Sequence, residues 1–106
     1  MNTLTAPQVK IKLQQNPNIQ LVMTLGPKAF EKCHIPRSIN IWDIETAKQQ
    51  FSKTTEIIVY CSDHNCLASY QAYHELEKAG YQNIWRFSGG LREWNEFGYP
   101  LIQSIN

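Results

Sequence analysis

The run Ile57-Ile58-Val59-Tyr60-Cys61 constrains this chain more than any other segment. It is β-branched, uncharged and apolar at both odd and even positions. Side chains alternate between the two faces of a strand, so such a run must be covered on both sides. That is the environment of a central strand in a parallel sheet, with helices above and below. The run is far shorter than the roughly 20 apolar residues that span a membrane. A polar turn, Ser62-Asp63-His64-Asn65, follows it, and then a helical pattern from about Cys66 to Ala79 that stops at Gly80.

The flanking segments repeat the alternation of short apolar runs with longer amphipathic ones. Thr5 is an N-cap, and a helix of about ten residues should follow it, with Pro7 in its first turn. Ile19 to Met23 predicts a buried strand, and Lys28 to Lys32 a short helix after Gly26-Pro27. Cys33-His34-Ile35-Pro36 reads as a loop, since a residue before proline is pushed to extended angles. Ser38 to Ile41 predicts a short strand, and Asp43 caps a helix running to about Phe51. Asn83 to Phe87 predicts a strand, and Ser88-Gly89-Gly90 a turn into a helix carrying Leu91, Trp94 and Phe97. Every interval between strands leaves room for a crossover, so the expected fold is α/β, a single parallel sheet with helices on both faces. The 106 residues predict a single domain over 1–106. Ten basic and nine acidic residues are scattered along the chain. That balance offers no electrostatic footprint for nucleic acid or a membrane surface. Met1 to Thr5 lacks a signal peptide's basic start and apolar stretch, so the expected location is cytoplasmic. In a reducing compartment the three cysteines are not a disulfide framework.

Ligands of open α/β sheets bind outside the carboxyl ends of the strands. The end of the central strand is Cys61, so the loop that begins there is the candidate site, and either the strand-end Cys61 or the helix-start Cys66 could be its reactive thiol. Backbone N–H groups of Ser62, Asp63, His64, Asn65 and Cys66 can converge on one point, and the following helix start adds partial positive charge. Both favour a thiolate or a bound oxyanion. The alternative is that Cys61 and Cys66 are small buried hydrophobes.

Four segments carry a more specific signal. They are Val59-Tyr60-Cys61, Ala79-Gly80-Tyr81-Gln82-Asn83-Ile84, Gly89-Gly90-Leu91-Arg92-Glu93-Trp94 and Gly98-Tyr99-Pro100-Leu101. In this order and spacing they resemble the rhodanese homology domain. Cys33-His34-Ile35-Pro36-Arg37-Ser38 is similar to that family's Gly-His-Ile-Pro-Gly-Ala motif, and the likeness runs from about Leu21 to Leu101. It implies a sheet of about five strands and a sulfurtransferase. Cys61 would take a sulfane sulfur as a persulfide, and the loop from Ser62 to Cys66 would hold the anionic donor. Gly89 and Gly90 would line the cleft. The donor would be thiosulfate or a persulfide, and a thiophilic acceptor, which can be a protein thiol, would remove the sulfur. No cofactor or metal is implied, and the composition is compatible with a monomer.

The chain departs from the family pattern. Met23, Thr24 and Leu25 stand where members carry Asp-Val-Arg. Cys33 and Arg37 replace two glycines, and the active loop is about two residues longer and has no arginine or lysine. Cys66 resembles a family variant with a second cysteine five positions on.

Rival chemistries follow from the same residues. A phosphatase needs an arginine six positions after its cysteine, and Leu67 and Ala72 stand there instead. Cys61 and Cys66 as an attacking and resolving redox pair would require the loop to bring their Cα atoms within ~6 Å, and a persulfide on Cys61 resolved by Cys66 would release sulfide and leave their disulfide. A metal site from Cys61, His64 and Cys66 would lack a second cluster, since Cys33-His34 is expected at the opposite end of the sheet. His34 is expected to anchor its loop by hydrogen bonds and His74 to be a solvated surface residue. Trp42, Trp85 and Trp94 are expected to pack. Loss of the charged pair at Met23 and Leu25 is also compatible with a binding module rather than an enzyme.

Overall fold

The computed structural model describes residues 1–104. In chain order the elements are β1 (Thr3–Leu4), α1 (Ala6–Gln15), β2 (Gln20–Met23), α2 (Pro27–Lys32), β3 (Cys33–His34) and β4 (Ile39–Asn40). They continue with α3 (Ile44–Gln50), β5 (Ile57–Tyr60), α4 (Ala68–Lys78), β6 (Ile84–Phe87), α5 (Gly90–Glu96) and β7 (Ile102–Gln103). Five strands form a parallel sheet in the order β1-β6-β5-β2-β4, with β5 at its centre.

The apolar run fills both sides of that sheet, as its lack of alternation requires. Ile58 and Tyr60 join Leu21, Met23 and Phe87 in a core roofed by Ala6 and Val9 of α1 and Trp94 of α5. Ile57 and Val59 join Val22 and Ile84 in a second core, under Ala47 of α3 and Tyr73 and Leu76 of α4. All four residues of β5 are buried.

The caps follow the sequence logic. Thr5 and Gln8 form a reciprocal capping box at α1. Asp43 accepts from Thr46 N and Oγ1 at α3, and these bonds hold its carboxyl below the usual range.

Three expectations need correction. Cys33-His34 is not a loop but a strand, antiparallel to β7, with Cys33 opposite Gln103 and His34 opposite Ile102. The edge strand β1 was not foreseen, because two residues are too few to show a period. The helix after Cys61 begins at Ala68, not at Cys66, because the chain first closes a turn in which Cys66 N–H donates to the Asp63 carbonyl (3.2 Å).

Two buried devices fix the segment between α2 and β4. The Tyr60 hydroxyl accepts from Ile35 N–H (3.0 Å) and bonds Ser38 Oγ (2.8 Å). Burial pushes its ionisation up to about 12. Arg37 has φ +77°, the left-handed region, where members of the resembled family carry glycine. Its guanidinium donates to the carbonyls of Leu13, Asn16, Pro17 and Ile19 and so closes the end of α1.

Candidate active site

Cys61 is the first residue beyond the central strand and is 1% exposed. Its carbonyl accepts Leu91 N–H (3.0 Å), and the carbonyl of Ser62 accepts Arg92 N–H (2.9 Å). The start of α5 thus clamps the start of the loop. Only glycine permits this. Gly90 has φ +57°, and a Cβ there would overlap the Cys61 carbonyl oxygen. Gly90 thus brings the start of α5 close against the loop, and Gly89 precedes it as the N-cap of α5.

Within the loop, Asp63 Oδ1 accepts Asn65 N–H (3.0 Å), and the Asp63 carbonyl accepts Cys66 N–H. These two turns fold the loop back on itself. They bring Cys66 against Cys61, with a Cα–Cα distance of 6.5 Å and the two sulfurs paired. That Cα distance lies inside the range a disulfide spans. The N–H groups of Asn65 and Cys66 therefore point into the loop, whereas those of Ser62, Asp63 and His64 make no hydrogen bond among the described residues.

Cys61 Sγ lies 3.3 Å from Ser69 Oγ and 3.6 Å from the Cys66 carbonyl oxygen. Ser69 is fully buried on the first turn of α4. It accepts a hydrogen bond from Arg86 Nε (3.0 Å), and a second guanidinium nitrogen of Arg86 donates to the Cys66 carbonyl (3.2 Å). Arg86 stands on β6, directly beside Val59 in register. Sequence reasoning found no cation in the loop and overlooked this one on the neighbouring strand. The signal was there: an arginine between apolar residues in Ile84-Trp85-Arg86-Phe87 asks for a buried partner.

The guanidinium only donates, so Ser69 Oγ accepts from it and is free to turn its own proton toward Cys61. A hydroxyl donor and a nearby cation both favour sulfur in its anionic form.

The His64 side chain is 65% exposed, with Nε2 3.6 Å from Glu93 Oε1. The other oxygen of Glu93 accepts Ala6 N–H, which ties the loop to α5 and the start of α1. His34 Nδ1 bonds the Phe30 carbonyl (2.7 Å), and its ring stacks on Phe30. It anchors its segment, as expected. His74 is a surface residue paired with Glu77.

The third thiol, Cys33, is half-buried on the β3–β7 ribbon. Ile35, two residues on, belongs to the core under α1 and α5, whereas Cys61 touches Ser69 of α4 on the other face. Trp94 packs in the core and Trp85 donates to Glu56, but Trp42 is 57% exposed, against expectation, because it lies just past the short edge strand β4.

At the end of β2, where charged residues were missing from the pattern, the backing is neutral. Met23 is core, and Thr24 donates its N–H (3.0 Å) and hydroxyl (3.2 Å) to the Tyr60 carbonyl. Asn40 Nδ2 donates to the carbonyls of Met23 and Leu25.

A doubly covered parallel sheet with a loop-bound cysteine at the carboxyl end of its central strand defines an α/β protein with a strand-end thiol site. The family model described as Rhodanese-like domain matches residues 6–97, and the chain belongs to that family.

An uncharacterized protein of Synechocystis sp. is 28% identical over 109 residues, covering 99% of this chain. The chain spans 59% of the length of that relative. A crystal structure of a Bacillus halodurans protein is similar at a TM-score of 0.88 and 21% identity, over 98% of this chain and 78% of that one. The solution structure of the rhodanese-like domain of an Anabaena sp. protein gives 0.87 and 21%, over 99% and 81%. A rhodanese-related protein of Thermoplasma volcanium gives 0.76 and 23%, over 98% and 100%. At these identities the solved structures establish the fold. No helix of the described residues is long and apolar enough to cross a membrane.

Proposed function

We propose that this chain is a sulfurtransferase that carries sulfane sulfur on Cys61. The observation that carries this reading is the Cys61–Ser69–Arg86 relay at the end of β5, which supports a sulfur anion where the fold presents ligands. The Cys61 thiolate attacks the outer sulfur of a persulfide or thiosulfate donor. A new sulfur–sulfur bond forms, and the donor's own sulfur–sulfur bond breaks. Its electron pair leaves with the thiolate or sulfite. An acceptor thiolate then attacks the outer sulfur of the Cys61 persulfide and regenerates the enzyme. This is covalent catalysis in two displacements.

The N–H groups of Ser62, Asp63 and His64 bind the donor's anionic end, while those of Asn65 and Cys66 hold the loop in shape. Gly89 and Gly90 set the far wall. The carboxylate of Asp63 opposes a dianion, so a singly charged persulfide suits the loop better than thiosulfate. The enzyme would act in the cytoplasm as a single domain over 1–106, with a small thiol or a protein thiol as acceptor.

The test is mass analysis of reduced Cys66→Ser, in which the Cys61 sulfur has no second loop thiol to meet, and of Cys61→Ser after exposure to each donor. Sulfur uptake that maps to Cys61 in the first and is absent from the second, with the fold retained, is the expected result. Uptake near the same level in Cys61→Ser would overturn the assignment. No uptake by either protein would leave a binding module as the better description.

A further inference from the structure

We propose that Cys66 is a resolving thiol that converts the Cys61 persulfide to hydrosulfide and a Cys61–Cys66 disulfide, making the protein a persulfide reductase. The inference rests on the preceding reading of Cys61 and names what becomes of its sulfur.

Three features of the site carry it. First, Cys66 is not a helical residue packed by default. It sits in a turn, its N–H held by the Asp63 carbonyl and its own carbonyl held by Arg86. Both ends of the residue are fixed, and its Cα is 6.5 Å from that of Cys61. Second, Cys61 is 1% exposed whereas Cys66 is half-buried. The Cys66 sulfur is paired with that of Cys61 and is the more exposed of the two, so a persulfide on Cys61 has Cys66 within reach. Third, the Arg86 guanidinium lies against Ser69 and the Cys66 carbonyl, so one cation serves both sulfurs. A thiol held in contact outcompetes a dilute external one because its encounter is intramolecular.

The Cys66 thiolate attacks Sγ of the Cys61 persulfide. The Cys61–Cys66 bond forms, and the bond from Sγ to the outer sulfur breaks. The outer sulfur departs with that electron pair as hydrosulfide. The pair of cysteines is oxidised by two electrons, and the sulfane sulfur is reduced by two. Two equivalents of a small thiol, or one protein dithiol, then reduce the disulfide by exchange and reset the pair.

The experiment is a single turnover. The reduced chain and Cys66→Ser are each mixed with one equivalent of glutathione persulfide and no other thiol. Hydrosulfide is measured, and the cysteines are mapped after an acid quench. The wild type should release one hydrosulfide per chain and end as the Cys61–Cys66 disulfide. Cys66→Ser should hold the extra sulfur on Cys61 and release hydrosulfide at least about tenfold more slowly.

Extra sulfur retained on wild-type Cys61, with Cys66→Ser behaving identically, would overturn the resolving role and leave the sulfurtransferase reading standing. A glutathione adduct on Cys61 of Cys66→Ser, in place of a persulfide, would overturn both. It would mark the donor's inner sulfur as the one attacked, which is ordinary thiol–disulfide exchange. Failure of either protein to take sulfur would likewise overturn both.

Discussion

Arg86 shows how one side chain can set the character of a site it does not enter. It reaches from β6 to the hydroxyl of Ser69 and the carbonyl of Cys66, and Ser69 in turn reaches Cys61. Removing the guanidinium leaves Ser69 Oγ free to accept from the Cys61 thiol rather than donate to its anion. Arg86→Leu should therefore slow alkylation of Cys61 at neutral pH by about tenfold, the scale of one lost charge-assisted hydrogen bond. A structural role alone would not predict that the rate recovers as pH rises, so the rate of iodoacetamide labelling against pH is the measurement. Arg86→Lys should recover only part of the loss, because an ammonium cannot span both acceptors in a planar fork. The same experiment on Cys33→Ser should show no change, since Cys33 sits on the β3–β7 ribbon and makes none of the bonds that reach Cys61.

At the scale of elements, the active loop is held by the N-terminus of α5 rather than by the charged residues absent from the end of β2. Leu91 and Arg92 donate to successive loop carbonyls, and Gly90 makes the approach possible. Gly90→Ala would place a methyl on the Cys61 carbonyl and force a left-handed backbone on a residue with a Cβ. It should cost about 2 kcal/mol or more and slow sulfur uptake at Cys61, read by thermal melting and mass analysis.

The elements that were legible in the sequence are those with a period to read. α1 with its Thr5 cap, α3 behind Asp43, and the uncharged run of β5 stand within a residue or two of expectation. The two-residue strands β1 and β7 lack the alternating run from Ser38 to Ile41 that marks β4, so they were invisible, and the pairing of Cys33-His34 with Ile102-Gln103 joins segments far apart in the chain. The start of α4 was misplaced because the turn at Asp63 uses Cys66 N–H, a competition that residue types alone do not reveal. Cys61 was legible from the strand that precedes it. Arg86 was not, because which residue stands beside the loop depends on register across β5 and β6.

At the scale of the molecule, two cores share one sheet, and a single carboxylate ties three remote segments at its edge. Glu56, just before β5, accepts from Lys12 and Asn16 at the end of α1 and from Trp85 Nε1 on β6. Burial works against its charged form, but the hydrogen bonds from Trp85, Lys12 and Asn16 win and hold it below the usual carboxylate range. A carboxyl so held binds fewer protons folded than unfolded. Its contribution is present in full above its ordinary value of 4.5 and is lost as pH falls through the depressed folded value. Glu56→Gln should cost on the order of 1 kcal/mol at neutral pH, and the gap to wild type should close in acid. Urea unfolding followed at both pH values is the check, and a gap that widened in acid would contradict it.

Arg37 carries a different consequence, one about the routes open to sequence change. Its backbone occupies a conformation that glycine adopts freely, yet its side chain gathers four carbonyls from the end of α1 and the turn beyond. Glycine would relax the backbone and abandon the carbonyls. Alanine would keep the strain and abandon them too. Lysine keeps the charge but not the fork. Each single substitution gives something up, so position 37 can change freely only where the carbonyls from Leu13 to Ile19 find other donors.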